Sequence, residues 1–357
     1  KKWFPTQLTD EDEINHHAFL TYLAQFGKSY KSKETFEMRK REFLATSEYI
    51  IGSIRAAFSS DDHNQLSDWT QGEYESILGL NNGESVRGDS KTYNEDELLV
   101  ALRRKYEKKA TLFTPSNKTT ELMLDWRNIT AARKGKTIYT KNFVSSVKDQ
   151  TSKGLCAASY AFAATALLEF DFVINYQNKL GDVFGAIIID CTGLEYGNHG
   201  CFGGDVTSTL NFMRNNSIFV EAAYPYKGKY EKCKNFRTDR KKSVKTFTSL
   251  NKDYKKKDGA NVNDIKNALE DGPVIAELFA DSRLFRSYSS GIIDDALSCS
   301  GRQVSNHAVL IVGYGKQDGR VFFVVKNSFG KAWGDEGYVR IAASTLSVCG
   351  ILSRIYI

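Results

Sequence analysis

The chain has 357 residues, 41% of them hydrophobic and 26% charged, which excludes a disordered or collagen-like polymer. At about 150 residues per domain, that length leaves room for two domains, or one large domain with an appendage. Forty-nine Lys and Arg stand against 43 Asp and Glu, and the resulting +6 is too small an excess to mark a nucleic-acid binder.

In chain order, the first 80 residues read as helical. Phe19, Tyr22, Leu23 and Phe26, then Phe36, Phe43, Tyr49, Ile50 and Ile54, recur at spacings near three and four, and no proline follows Pro5 in this stretch. From Gly79 to about Thr120 the composition shifts to that of an extended connector. Asn81-Asn82-Gly83 signals a turn, Glu95–Lys109 is charged and helix-like, and Thr114-Pro115-Ser116-Asn117 breaks it. One strong helix is predicted at Ser159–Gln177, with Ala161, Phe162, Ala164, Thr165, Leu168 and Phe172 as its buried stripe. Short β-like runs follow, at Ala308–Gly313 and Val321–Lys326, so the second part is expected to be α+β with two packed subdomains. The longest apolar runs, around Val183–Ile189 and Ala308–Val312, fall short of the roughly 18–20 residues of a membrane helix, so no membrane span is expected. The lysine-rich stretch Lys241–Lys257 reads as a solvated loop.

All six cysteines, Cys156, Cys191, Cys201, Cys233, Cys299 and Cys349, lie after residue 155. An even set confined to one segment points to three disulfides in an oxidising compartment, with all 15 pairings open on this ground alone. No C-x2-C pair occurs, so neither a zinc site nor another metal or cofactor is expected.

Asp125-Trp126-Arg127, Val147-Lys148-Asp149-Gln150, Cys156-Ala-Ala-Ser159-Tyr-Ala-Phe162, Gly200-Cys201-Phe202-Gly203-Gly204, Tyr224-Pro225-Tyr226, Asn306-His307-Ala308-Val309, Lys326-Asn327-Ser328-Phe329-Gly330 and Trp333-Gly334 follow one another in the order of the papain family, which the sequence resembles from Asp125 to its end. The N-terminal part resembles the inhibitory propeptide of cathepsin L-type members. Arg39, Phe43 and Ile50 fall at the spacing of the long-helix motif, Asn64-Gln65-Leu66-Ser67-Asp68 matches the second motif, and Thr35, Thr46 and Ile54 replace three motif residues.

The resemblance implies a papain-like α+β fold, with a helical left half and a β-barrel-like right half, preceded by a mainly helical inhibitory propeptide. It implies a propeptide domain at 1–80, a propeptide tail at 81–120 running through the cleft, and a papain-like domain at 121–357. It also implies the bridges Cys156–Cys201, Cys191–Cys233 and Cys299–Cys349, which use every cysteine and leave no thiol nucleophile.

Ser159 stands where the family has its catalytic cysteine. A thiol beside a histidine and a helix N-terminus can be stored as a thiolate, whereas a serine hydroxyl cannot be stored as an alkoxide and needs a base during attack. By the same resemblance His307 is that base, Asn327 orients it, and Gln150 is the oxyanion donor. Tyr160 and Phe329 replace two tryptophans. Thr151–Leu155 is about three residues longer than the family pattern, which is expected to displace the Gln150 amide. The substrate cleft would be lined by Gly203 and Gly204, with Asp205, Val206, Glu277, Ser305, Asn306 and Arg354 at the apolar specificity pocket. Two carboxylates and a guanidinium there predict that Arg354 pairs with Glu277 or Asp205 and fills the pocket.

Three functions compete: a catalytically silent family member that binds its own propeptide and protein or peptide ligands; a cysteine endopeptidase zymogen whose cysteine was replaced by Ser159; and a Ser/His hydrolase or condensing enzyme. The third rests on a local resemblance of Ala158–Phe162, Tyr196–Cys201 and Asn306–Ala308 to the silicateins, sponge relatives associated with silica deposition, although only Ser298, Ser300 and Ser305 represent their serine-rich patch. Sequons at Asn117, Asn128 and Asn215 permit glycosylation in a secretory pathway. The disulfides point to secretion or to a lysosomal or granule lumen. Lys1-Lys2-Trp3-Phe4 has no apolar leader, so a leader would precede this sequence.

Overall fold

The computed structural model describes residues 10–53, 59–80, 120–133, 136–176, 186–193, 195–216, 218–219, 221–234, 247–250, 260–294, 305–344 and 347–357. Helices α1 (Asp10–Gln25) and α2 (Lys33–Ser53) open the chain. They close on a small aromatic core of Phe19, Tyr22, Leu23 and Phe43, against which Phe26, Tyr30, Phe36 and Leu44 pack. Ile54 and Gln177, the connector features at 81–83, 95–109 and 114–117, and most of the 241–257 lysine stretch lie outside the described residues.

A three-residue strand β1 (Ser59–Asp61) and a short helix α3 (Gln71–Glu75) then lead into the body. Thr70 caps α3 by accepting from the Glu73 N–H, while Glu73 accepts from the Thr70 N–H, a reciprocal cap that stops the chain unwinding there. The remaining strands are β2 (Thr120–Asp125), β3 (Ile129–Arg133), β4 (Lys136–Lys141), β5 (Val274–Leu278), β6 (Tyr288–Ile293), β7 (His307–Gln317), β8 (Arg320–Lys326), β9 (Tyr338–Ala342) and β10 (Arg354–Tyr356). The remaining helices are α4 (Ser159–Tyr176), α5 (Ala186–Cys191), α6 (Val206–Asn215), α7 (Val262–Leu269) and α8 (Arg283–Ser287).

Among the described residues eight strands form one sheet in the order β1-β6-β9-β8-β7-β5-β10, with β2 also on β7; β3 and β4 form a separate hairpin. All these neighbours are antiparallel except β6 with β9. Runs such as Val274-Ile-Ala-Glu-Leu278 and Val321-Phe-Phe-Val-Val-Lys326 are buried along most of their length, as central strands covered on both faces must be.

Helix α4 is enclosed well beyond the single stripe expected. Tyr160, Ala163, Phe170 and Val173 are buried alongside Ala161, Phe162, Ala164, Thr165 and Leu168, while Phe172 is only half-buried. A helix apolar on nearly every side belongs inside, and here it runs from the site into the centre of the body.

Candidate active-site cleft

Ser159 is the first residue of α4, so its side chain lies at the positive end of the helix dipole, where a developing negative charge would be favoured. It is fully buried, and its Oγ accepts a hydrogen bond from the backbone N–H of Ala308 at 3.2 Å. His307 begins β7, the longest strand, and is also fully buried. Its Nε2 lies 2.7 Å from Asn327 Oδ1, which also accepts from the Ser328 backbone N–H at 2.8 Å. A backbone N–H can only donate, so that Asn327 atom is the oxygen, Nε2 must carry the proton, and the neutral ring keeps its lone pair on Nδ1. Nδ1 has no hydrogen-bond partner. Burial drives the His307 pKa down to about 4 against the opposing pull of the Asn327 hydrogen bond, so the ring is neutral over most of the acidic range. Phe329, fully buried with its ring 4.8 Å from the imidazole, covers the His307–Asn327 bond, and Trp333 packs edge-on against Phe329.

Gln150 remains in the cleft despite the longer loop that follows it. Its Nε2 donates to the carbonyls of Cys156 (2.9 Å) and Ile77 (3.0 Å), and its Oε1 accepts from Ser328 Oγ (2.7 Å). The amide is therefore already holding a peptide carbonyl, one that comes from the N-terminal arm. Two residues further on, the Gly79 carbonyl accepts from the Gly204 N–H at 3.1 Å, and Leu80 forms a parallel bridge with Gly204. Gly203 has φ +108°, and a Cβ there would come within 2.7 Å of the Gly79 oxygen. Residues 77–80 thus lie in the cleft; 81–119 are outside the described residues.

The residues expected at the specificity pocket divide. Glu277 is fully buried on β5, with Tyr356 donating to its Oε1 at 2.9 Å and Arg354 Nε 3.8 Å from its Oε2. Burial pushes its carboxyl up to about 7, partly offset by Arg354 and Tyr356 and reinforced by Asp205. Asp205 caps α6 by accepting from the Ser208 N–H, and Val206 is buried behind it. Asn306 Oδ1 accepts from the Ala280 N–H, and Ser305 Oγ lies 3.2 Å from Ser353 Oγ.

Sequence reading missed a buried polar cluster behind this line. Glu169 on α4 accepts from Ser145 Oγ and pairs with Lys148 at 3.3 Å, while Lys326 donates to Ser145 at 2.8 Å. The signal was present: a glutamate within an apolar helix, a lysine two residues before Gln150 and another directly before Asn327. The Ala308 N–H bond to Ser159 left no such signal, because a backbone donor is independent of residue type.

The disulfides Cys156–Cys201 and Cys191–Cys233 are formed, and no described cysteine is free; Cys299 lies outside the described residues. Asn128 and Asn215 are exposed, and Asn117 lies outside the described residues. No group of three metal-ligating side chains occurs among the described residues, and no described helix is long and apolar enough to cross a membrane.

Residues 124–357 match the family profile described as papain family cysteine protease. Mouse (Mus musculus) cathepsin S is 32% identical over 355 residues, covering 97% of this chain and 91% of the relative. Digestive cysteine proteinase 1 of Homarus americanus is 29% identical over 336 residues, covering 92% and 90%. Among solved structures, digestive procathepsin L 3 of the Tenebrio molitor larval midgut superposes with a TM-score of 0.71 at 23% identity, covering 96% of this chain and 98% of that one. The proform of the ragweed pollen allergen Amb a 11 gives 0.69 at 23%, covering 98% and 95%. The papain-like α+β fold preceded by a pro-segment is thus shared along almost the whole length, and the chain belongs to the papain family of cysteine proteases.

Proposed function

We propose that this chain is a catalytically silent papain-family protein, held in proform, whose cleft binds an extended peptide segment instead of cleaving it. One observation carries the reading: Ser159 Oγ accepts the Ala308 N–H and makes no hydrogen bond with His307, whose Nδ1 is left without a partner. A serine nucleophile needs its base in hydrogen-bond contact to lose its proton during attack, and a thiol that could be stored as thiolate is absent. Ser159, His307, Asn327 and Gln150 then act as the framework of a binding cleft bounded by Gly203, Gly204, Asp205, Val206, Glu277, Ser305, Asn306 and Arg354. Residues 1–80 and 81–120 are the propeptide domain and its tail, and 121–357 the papain-like domain. Two formed disulfides and exposed sequons at Asn128 and Asn215 support a glycoprotein of the secretory pathway, in a lysosomal or granule lumen or outside the cell.

The test assays the full chain, and the chain after proteolytic removal of its pro-segment, with peptide and ester substrates from pH 4 to 7. Wild type and Ser159→Ala are expected to show the same absence of turnover. Ser159→Cys should gain one titratable thiol and measurable peptidase turnover after pro-segment removal, because a thiol, unlike a hydroxyl, can be stored as a thiolate beside a histidine at a helix N-terminus. Turnover by wild type that Ser159→Ala abolishes would establish a serine-type hydrolase instead. A cysteine codon at position 159 in the native transcript would make the chain an ordinary zymogen.

A further inference from the structure

Gly79 lies in a closely packed part of the cleft. A Cβ built there would come within 2.6 Å of the Ala157 Cβ and 3.0 Å of the Gly203 Cα. Gly79 is not among the glycines with positive φ, so its backbone would accept an L side chain, and the demand for glycine is one of space alone. The closest obstacle is a side-chain methyl. Ala157 is itself fixed, since its N–H donates to the Cys201 carbonyl at 3.0 Å and the Cys156–Cys201 disulfide stands beside it. The wall cannot simply retreat.

On either side of this point the segment is held strongly. The Ile77 carbonyl lies on Gln150 Nε2, the Gly79 carbonyl on the Gly204 N–H, and the side chains of Ile77 and Leu80 are buried in the body's core. Register is therefore fixed from both ends, and a residue at position 79 cannot slide away from Ala157.

We propose that Ala157 is a specificity-determining residue for whatever strand occupies the cleft. It gauges the gap to Gly203 so that only a peptide of the pattern apolar-x-Gly-apolar, as in Ile77-Leu78-Gly79-Leu80, can place its carbonyls on Gln150 and Gly204 together. The inference deepens the peptide-binding reading above: the partner class is an extended apolar peptide carrying glycine at that one position, supplied in this proform by the chain itself.

A double-mutant cycle on the full chain tests it, read by hydrogen exchange of the Gly204 amide, which is protected by the Gly79 carbonyl. Gly79→Ala should accelerate that exchange about tenfold or more, the usual scale for forcing a methyl into a filled space. Ala157→Gly alone should change it little. The double variant should recover most of the lost protection, because the 2.6 Å contact is gone and only the looser approach to Gly203 remains. Unchanged exchange in Gly79→Ala, or a double variant no better protected than Gly79→Ala, would overturn the proposal. A loss of exchange protection throughout the sheet would identify unfolding, and in that case the double variant decides: sheet protection restored by Ala157→Gly supports the proposal, and none restored overturns it. None of these readouts depends on turnover, so a failure here is distinct from the discovery of activity at Ser159.

Discussion

The N-terminal arm and the papain-like body bury their side chains in contrasting ways. The body has one continuous core running from α4 through the sheet to Trp333. Among the described residues the arm has a separate core of four buried side chains, Phe19, Tyr22, Leu23 and Phe43, knotted by a buried carboxylate: Asp68 accepts from Tyr22, Tyr30 and Lys28. Beside it Arg39 grips Glu73 through two hydrogen bonds of 2.5 and 2.6 Å. Burial alone would raise the Glu73 carboxyl, but Arg39 and the Thr70 cap bring it down to about 2. The later part of the arm is different again, since Leu66, Tyr74, Ile77 and Leu80 belong to the body's core. The lesson is that the arm is not a free second domain. Four buried apolar side chains offset little of the chain entropy of some seventy residues, so the arm's order is borrowed from docking.

The sharpest way to break that contrast is Phe43→Ala. Phe43 stacks on His63 at 4.3 Å and touches Tyr22 and Phe19, and its removal is expected to cost about 3–5 kcal/mol, melting α1 and α2 while the body stays folded. Calorimetry should show the early transition displaced and the main one in place; an equal fall in both would mean a single cooperative unit.

Arg286→Met comes next. This guanidinium belongs to the body yet is buried beneath the arm, where Nη2 donates to the carbonyls of Leu66 and Trp69. Losing charged hydrogen bonds of this kind costs roughly 1.5–3 kcal/mol, and the arm should become protease-sensitive without loss of body stability.

The smallest expected effect is a pH slope. Glu277 has a folded pKa near 7, above its unfolded value of 4.5, so it binds protons more tightly when folded, and its contribution falls as pH rises from about 4.5 to 7. His307, at about 4 against 6.5 unfolded, binds protons more weakly when folded, and its contribution rises with pH from about 4 to 6.5. The two contributions run in opposite directions. Glu277→Gln should make stability climb more steeply with pH between about 4.5 and 7 than in the wild type in denaturant titrations; an unchanged slope would mean that Glu277 titrates alike in the folded and unfolded chain.

Much of the site was legible through the resemblance, because Gln150, Ser159, His307 and Asn327 stand in motifs that follow one another in the order of the papain family. Ser159 opens a strongly apolar helix, His307 and Asn327 flank buried strands, and the absence of a seventh cysteine follows from counting. Helices α1 and α2 were legible for another reason, since their aromatic spacing repeats over many residues. Strand β1 was not: three residues, Ser59–Asp61, pair with β6 through backbone groups, and no periodicity can show in so short a run. Arg286 gave no sign either, since an arginine that ends up satisfied by two distant carbonyls looks in sequence like any surface arginine.

The sequence by itself determined the family and the missing thiol, while it put the cleft-crossing tail at 81–120, beyond the Ile77–Leu80 strand that the structure lays there. Only the tertiary structure decided that Ser159 bonds to a backbone N–H in place of His307, that Gln150 holds the Ile77 carbonyl, and that Ala157 sets the width at Gly79. The division has one physical cause: side-chain type and spacing are written along the chain, whereas contacts with backbone groups far away in sequence exist only once the chain has closed on itself.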